Sequence, residues 1–127
     1  MLRISRRDYG DITVLELDGG MTMGNLRDRP SFREAVDDLI RTHRTKIILV
    51  YAGVRYQDSM GNGELVSAFT KVRNAGGILV FAGLPEKISD LFQVTKLMTV
   101  FSVFNTLDEA LSHLGYNPSS SDGSEKP

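Results

Sequence analysis

KIILVYAGVRYQDSMGNG, residues 46–63, is the stretch whose reading decides the fold. It begins with an uninterrupted apolar run, Ile47-Ile48-Leu49-Val50-Tyr51. A strand with one wet face alternates apolar and polar residues, whereas a run without alternation suits a central strand covered on both faces. After Ala52-Gly53 the residues turn polar, which predicts a loop, and Asp58-Ser59-Met60-Gly61 then opens a helix. A buried strand, a polar turn and a helix start together bring small polar groups and unpaired backbone N–H groups to one end of a sheet. Such a place suits a ligand, a phosphate or a partner protein, and it is the expected functional end of the molecule.

Working towards the C-terminus, a helix is expected from about Ser59 to Asn74, burying Leu65, Phe69 and Val72 with Val66 and Ala68 at its flanks. Gly76-Gly77 stops it, and Ile78-Leu79-Val80-Phe81-Ala82 is a second strand without a polar face. Two such runs should lie side by side at the centre of one sheet. Gly83-Leu84-Pro85 then leads into a helix with Ile88, Leu91, Phe92 and Thr95 on one face. Residues 100–104 read as a short last strand. Thr106-Leu107-Asp108-Glu109 has the form of a capping box and starts a helix that buries Leu107, Ala110, Leu111 and Leu114 and ends at Gly115.

Working towards the N-terminus, Ser31-Phe32-Arg33-Glu34 is another capping box, followed by a stripe of Phe32, Ala35, Val36, Leu39 and Ile40 at helical spacing. Residues 21–29 lack a clear period and read as a loop with one helical turn. Leu2 and Ile4 alternate with polar neighbours, and residues 12–17 form a second strand. The two predict a hairpin at the sheet edge, with Asp18-Gly19-Gly20 ending it. The order β-β-α-β-α-β-α-β-α implies an α/β fold of the three-layer type: a mixed, mostly parallel central sheet, an N-terminal hairpin and about four helices. One domain is expected over residues 1–116. Residues 117–127, rich in Ser, Pro and Gly without an apolar anchor, are expected to be a disordered tail.

Composition narrows the function. With 127 residues there is chain enough for one well-formed core. Lys and Arg number 15 against 16 Asp and Glu, so the basic surplus of a nucleic-acid binder is missing. The lack of cysteine excludes disulfides, thiol catalysis and Cys-ligated zinc, and favours a cytoplasmic setting. No apolar run approaches the roughly 20 residues that span a bilayer, and MLRISRRDYG lacks a signal peptide's apolar core. No membrane insertion is expected.

Catalytic groups are sparse. His43 and His113 both fall at helix C-termini, where an imidazole serves the last carbonyls more readily than a substrate. No H-E-x-x-H, G-x-S-x-G or paired-carboxylate pattern occurs, so the reading is a non-enzyme with no metal and no cofactor. Gly61-Asn62-Gly63-Glu64-Leu65-Val66 half-matches a dinucleotide fingerprint, but Val66 stands at the third glycine and the loop expected after Val50 is too long for the tight turn required. A small-ligand or nucleotide-binding module is the alternative class. The plainer reading of these glycines is close approach of the helix start to a neighbour. Met60 falls opposite the Leu65/Phe69/Val72 stripe, with Gly63, Ser67 and Lys71. An exposed Met among small residues is a plausible docking surface, and a surface Met touching only a nearby loop is the bland alternative.

The segment Tyr56-Gln57-Asp58-Ser59-Met60-Gly61-Asn62-Gly63-Glu64-Leu65-Val66-Ser67-Ala68-Phe69 resembles the signature of STAS domains of the bacterial anti-sigma factor antagonist type. Val72-Arg73-Asn74-Ala75-Gly76-Gly77-Ile78-Leu79-Val80, Leu91-Phe92-Gln93-Val94-Thr95-Lys96-Leu97 and Asp108-Glu109-Ala110-Leu111 follow in the family's order. The resemblance spans roughly residues 2–114. It implies a partner-switching regulator that binds an anti-sigma factor, itself a serine kinase, and so releases a sigma factor. In the family the kinase phosphorylates the second hydroxyl of an Asp-Ser-Ser/Thr-Gly signature, which ends binding. Here Ser59 matches the first hydroxyl, Met60 stands at the acceptor position and Asn62 replaces the usual Leu or Ile. The expectation is therefore a binder without the usual phosphoserine switch, with Ser59 as the remaining phosphoacceptor candidate. The expected partner surface comprises Met21, Thr22, Met23, Asp58, Ser59, Met60, Gly61, Asn62, Gly63 and Ser67. A structural STAS subunit of a larger regulatory or transport complex is the alternative within the family.

Overall fold

A computed structural model describes residues 1–26 and 31–117; the expected tail, Asn117 apart, and Arg27, Asp28 and Arg29 lie outside them. Strands β1 (Leu2–Tyr9) and β2 (Ile12–Met21) form the expected antiparallel edge hairpin, in register from Leu2 opposite Gly19 to Tyr9 opposite Ile12. Strands β3 (Lys46–Gln57), β4 (Ile78–Ala82) and β5 (Val103–Phe104) add in parallel, giving the order β1-β2-β3-β4-β5. The connecting helices are α1 (Met23–Leu26), α2 (Phe32–Arg41), α3 (Ser59–Asn74), α4 (Glu86–Val94) and α5 (Leu107–His113). The two unalternated runs are neighbours, Ile47 opposite Leu79 and Leu49 opposite Phe81.

Both faces of these strands are covered, which is why neither run alternates. Ile47, Leu49, Tyr51, Leu79 and Phe81 join Phe32, Val36 and Leu39 of α2, Leu65 and Val72 of α3 and Ile88 and Phe92 of α4 in the larger core. Ile48, Val80 and Ala82 turn the other way, onto Ala110 and Leu111 of α5. The layers are unequal, with α2, α3 and α4 on one face and α5 on the other. Aromatic rings close the larger core, Phe81 meeting Phe101 at 4.8 Å and Phe92 at 5.5 Å.

Helix starts obey local chemistry. Ser31 accepts from the Glu34 N–H while the Glu34 carboxylate accepts from the Ser31 N–H, a complete capping box. At α5 Thr106 accepts from the Glu109 N–H, but the Glu109 carboxylate accepts from Asn105, one residue before the cap, so the reciprocal half of that box is displaced. His43 has a left-handed backbone (φ +62°), and its backbone N–H, not its ring, serves the Ile40 carbonyl. The last strand is only Val103–Phe104, preceded by a 3₁₀ turn at Leu97–Thr99, and Thr95 is an exposed helix cap rather than part of the buried face.

The largest departure lies beside the functional end. Asp18-Gly19-Gly20 does not end β2, and β3 does not loosen after Gly53. The two run on together, Asp18 opposite Gly53, Gly19 opposite Val54 and Met21 opposite Gln57, across register shifts after Glu16 and Gly19. Gly19 makes this continuation through a positive φ of +122°, a conformation that suits glycine. Within this extension Val54 is buried while Arg55 and Tyr56 are exposed, so its polar residues belong to a paired strand and not to a loop. Strand β3 therefore delivers the chain directly to the start of α3.

Candidate functional site

Asp58, the single residue between β3 and α3, organises this end. Its backbone is extended (φ −106°, ψ −175°), and it is the N-cap of α3. One carboxylate oxygen accepts from the Gly61 N–H at 2.9 Å and the other from the Met23 N–H at 2.9 Å. Its own N–H donates to the Met21 carbonyl at 3.2 Å, and its carbonyl accepts from Asn62 at 3.0 Å. These bonds favour the ionised form, Met23 contributing most and Gly61 next, and hold the carboxyl below the usual carboxylate range. One acidic residue thus ties the end of β2, through its backbone N–H, and the turn α1, through its carboxylate, to the first turn of α3.

The capping role is Asp58's, so Ser59 does not take it. Ser59 is the first residue of α3, exposed, and its hydroxyl has no hydrogen bond among the described residues. Met60 follows at 50% exposure, and Met23, across Asp58, is also at 50%. Tyr56, two residues before Asp58, is 64% exposed. Met23 and Met60 therefore lie exposed on segments joined through one carboxylate, with Tyr56 exposed on the strand that leads into it. Thr22 is half-buried beside them.

The glycines divide. A Cβ on Gly61 would lie 2.0 Å from the Met21 carbonyl oxygen, so the first turn of α3 rests on the end of β2 only because this residue has no side chain. A Cβ on Gly63 would meet nothing within 4 Å. Close approach thus explains Gly61 and leaves Gly63 unexplained. Both lie inside α3 and not in a loop before it, and the Gly61 and Asn62 N–H groups are already taken by Asp58. That arrangement differs from the open N–H cradle of a phosphate-binding turn. The loop length earlier counted against a dinucleotide site drops out, because β3 runs to Gln57.

Two residues of the expected surface sit elsewhere. Met21 is fully buried in the larger core, because β2 continues through it, so its side chain is not on the surface. Ser67 is half-buried in the seam between α2 and α3, where Phe32, Arg33, Val36, Glu64 and Lys71 share a small gap with it. Ion pairs close this seam, Arg33 with Glu64 and Lys71 with Asp37. The face of α3 that bears Ser67 and Lys71 is thus turned towards α2, while its exposed residues run from Ser59, Met60 and Gly63 in the first turn on through Val66, Thr70 and Arg73. Asn62 is half-buried, its side-chain oxygen accepting from the Gln57 amide at 2.6 Å, while the Gln57 oxygen accepts from the Tyr51 hydroxyl at 2.7 Å. Sequence reasoning missed this chain. Its only trace was a Tyr closing an aliphatic run, with amide residues 6 and 11 positions on.

Chemically this end presents exposed thioethers, a phenol, a hydroxyl and a bare stretch of helix. Among the described residues no group of three His, Asp or Glu side chains is placed to hold a metal ion, and no helix is long and apolar enough to cross a membrane.

A model of the STAS domain family matches residues 3–110. Solved structures with the same fold include a candidate anti-sigma factor antagonist from Thermotoga maritima, 22% identical, with a TM-score of 0.79 over 87% of this chain and 92% of that one. An anti-sigma factor antagonist from Mycobacterium paratuberculosis is 18% identical, with a TM-score of 0.77 over 89% and 93%. The phosphorylated form of the Bacillus cell fate determinant SpoIIAA is 17% identical, with a TM-score of 0.68 over 88% and 99%. At these identities the structures speak for the fold, and the family match speaks for the whole domain: this chain belongs to the STAS domain family.

Proposed function

We propose that this STAS domain is a regulator of the anti-sigma factor antagonist type, which binds a serine-kinase-type anti-sigma factor and frees a sigma factor without a phosphate switch at position 60. The observation that carries this reading is Met60, half-exposed in the first turn of α3 between Asp58 and the open Gly63. A phosphate there would bring about −1.5 to −2 charges into the middle of a docking patch. A thioether has no hydroxyl to carry it. Full burial of a Met side chain contributes about 1.5–3 kcal/mol. Covering the exposed half of Met60 contributes roughly half of that, and Met23, held to the same helix start through Asp58, offers further apolar area.

The test uses the immobilised full chain to capture partners from the native cell, followed by incubation with ATP. Retention of a serine-kinase-type anti-sigma factor by wild type, its loss with Met60→Glu, and phosphate entering Met60→Ser but not wild type are the expected results. Capture without any anti-sigma factor overturns the partner, and release of wild type on phosphorylation at Ser59 overturns the lack of a switch.

A further inference from the structure

We infer that Tyr51, Gln57 and Asn62 are positioning residues that hold the first turn of α3, and with it Met60, in its outward-facing pose. This rests on the reading of that turn as a docking surface and names what keeps the surface in shape. The first turn is a poor helix by composition: Gly61, Asn62 and Gly63 are adjacent, and glycine and asparagine rank low in helix propensity. Left to itself such a turn frays, and a frayed turn does not present Met60 at a fixed place.

Two tethers oppose fraying. One is the Asp58 cap. The other runs from the core. Tyr51 is fully buried, with Phe81 at 5.4 Å and Phe92 at 6.2 Å from its ring. A buried hydroxyl needs a partner, and among the described residues Tyr51 has the Gln57 side-chain oxygen, at 2.7 Å. Because that oxygen accepts from the phenol, the Gln57 nitrogen points the other way and donates to Asn62 at 2.6 Å. The bonds have one direction, from the core strand through the last residue of β3 to the fourth residue of α3. This also accounts for a polar residue at position 62, where the resembling signature carries Leu or Ile.

The experiment is amide hydrogen exchange on the full chain, comparing wild type, Asn62→Leu and Asn62→Asp. Leu is the better helix former, so propensity alone would slow exchange in the first turn of Asn62→Leu. The positioning account predicts the opposite sign. Exchange at Gly61, Gly63 and Glu64, corrected for intrinsic rates, should speed up about five-fold, while Leu79, Val80 and Phe81 in β4 stay within about two-fold. Asn62→Asp keeps an oxygen for Gln57 and should exchange like wild type. If Asn62→Leu does not fold, Tyr51→Phe breaks the chain at its other end with the core volume kept, and the same local acceleration is expected. Unchanged or slower exchange in the first turn, or equal acceleration there and in β4, overturns the inference. No partner is present in this measurement, so its failure and a failure to capture an anti-sigma factor are separate results.

Discussion

Along its inward side α3 carries Gly61, Leu65, Ala68 and Val72, all buried, whereas the outward side of its first turn carries Ser59, Met60 and Gly63, all exposed. The inward residues are each accounted for by something they touch: a carbonyl of β2 against Gly61, the larger core against the other three. The outward residues touch nothing that requires them. A glycine with open space around it is a poor choice for a solvent-facing helix turn, where Ala would serve the fold better, and a half-exposed Met leaves apolar area in water. Packing thus explains one side of the helix and leaves the choice of Met60 and Gly63 on the other side unexplained.

Gly61→Ala breaks that contrast most severely. The new methyl would meet a backbone oxygen, which cannot swing away, and overpacking of this kind costs about 1–3 kcal/mol. We expect a loss near the upper end, about 3 kcal/mol by urea denaturation. A neutral result would show that α3 does not rest on β2. Met60→Glu probes the outward side. Stability should stay within about 0.5 kcal/mol, as for other surface changes, while affinity for the captured partner should fall about tenfold or more, read by titration calorimetry.

Asp58 belongs to both sides, since it caps the helix and holds the Met23 turn. Asp58→Ala should cost about 1 kcal/mol at pH 7. Its carboxyl is held lower in the folded protein than in the unfolded chain, chiefly by the Met23 N–H. The contribution is therefore complete above the unfolded value of about 3.9 and is lost as pH falls through the folded value. The stability gap between wild type and Asp58→Ala should narrow as the pH is lowered from about 5 towards 3. A gap unchanged over that range would mean the charge is irrelevant to the cap.

The smallest effect, with the opposite sign, is expected at Gly63. Gly63→Ala should stabilise the domain by about 0.5–1 kcal/mol, raising the thermal midpoint by a few degrees, and should weaken partner binding. A gain in stability with affinity unchanged would place Gly63 outside the interface.

Much of this architecture was legible in the residues because it follows from local pattern. Unalternated runs at Ile47 and Leu79 mark strands covered on both sides, and Ser31 and Asp58 announce helix starts through short-range hydrogen bonds. What escaped depends on partners distant in sequence. Val54 to Gln57 is strand because residues 19–21 of β2 lie alongside it, and no local feature encodes that pairing. The same pairing buries Met21, which by sequence looked like loop. Ser67 has an outward helical phase, yet α2 covers it. The link from Tyr51 to Asn62 spans a strand end and a helix start, so helical periodicity does not predict it.

The claim that matters most is that this surface is not switched by phosphate. Trypsin cleavage after Arg55 and Lys71 isolates residues 56–71, which hold Ser59 and Met60 on one peptide. Quantitative mass spectrometry of that peptide, from native protein isolated with and without stress, tests the claim directly. The account predicts the unmodified mass under both conditions. Substantial phosphate on Ser59 that rises or falls with stress would contradict it and make this domain an ordinary phosphate-switched antagonist.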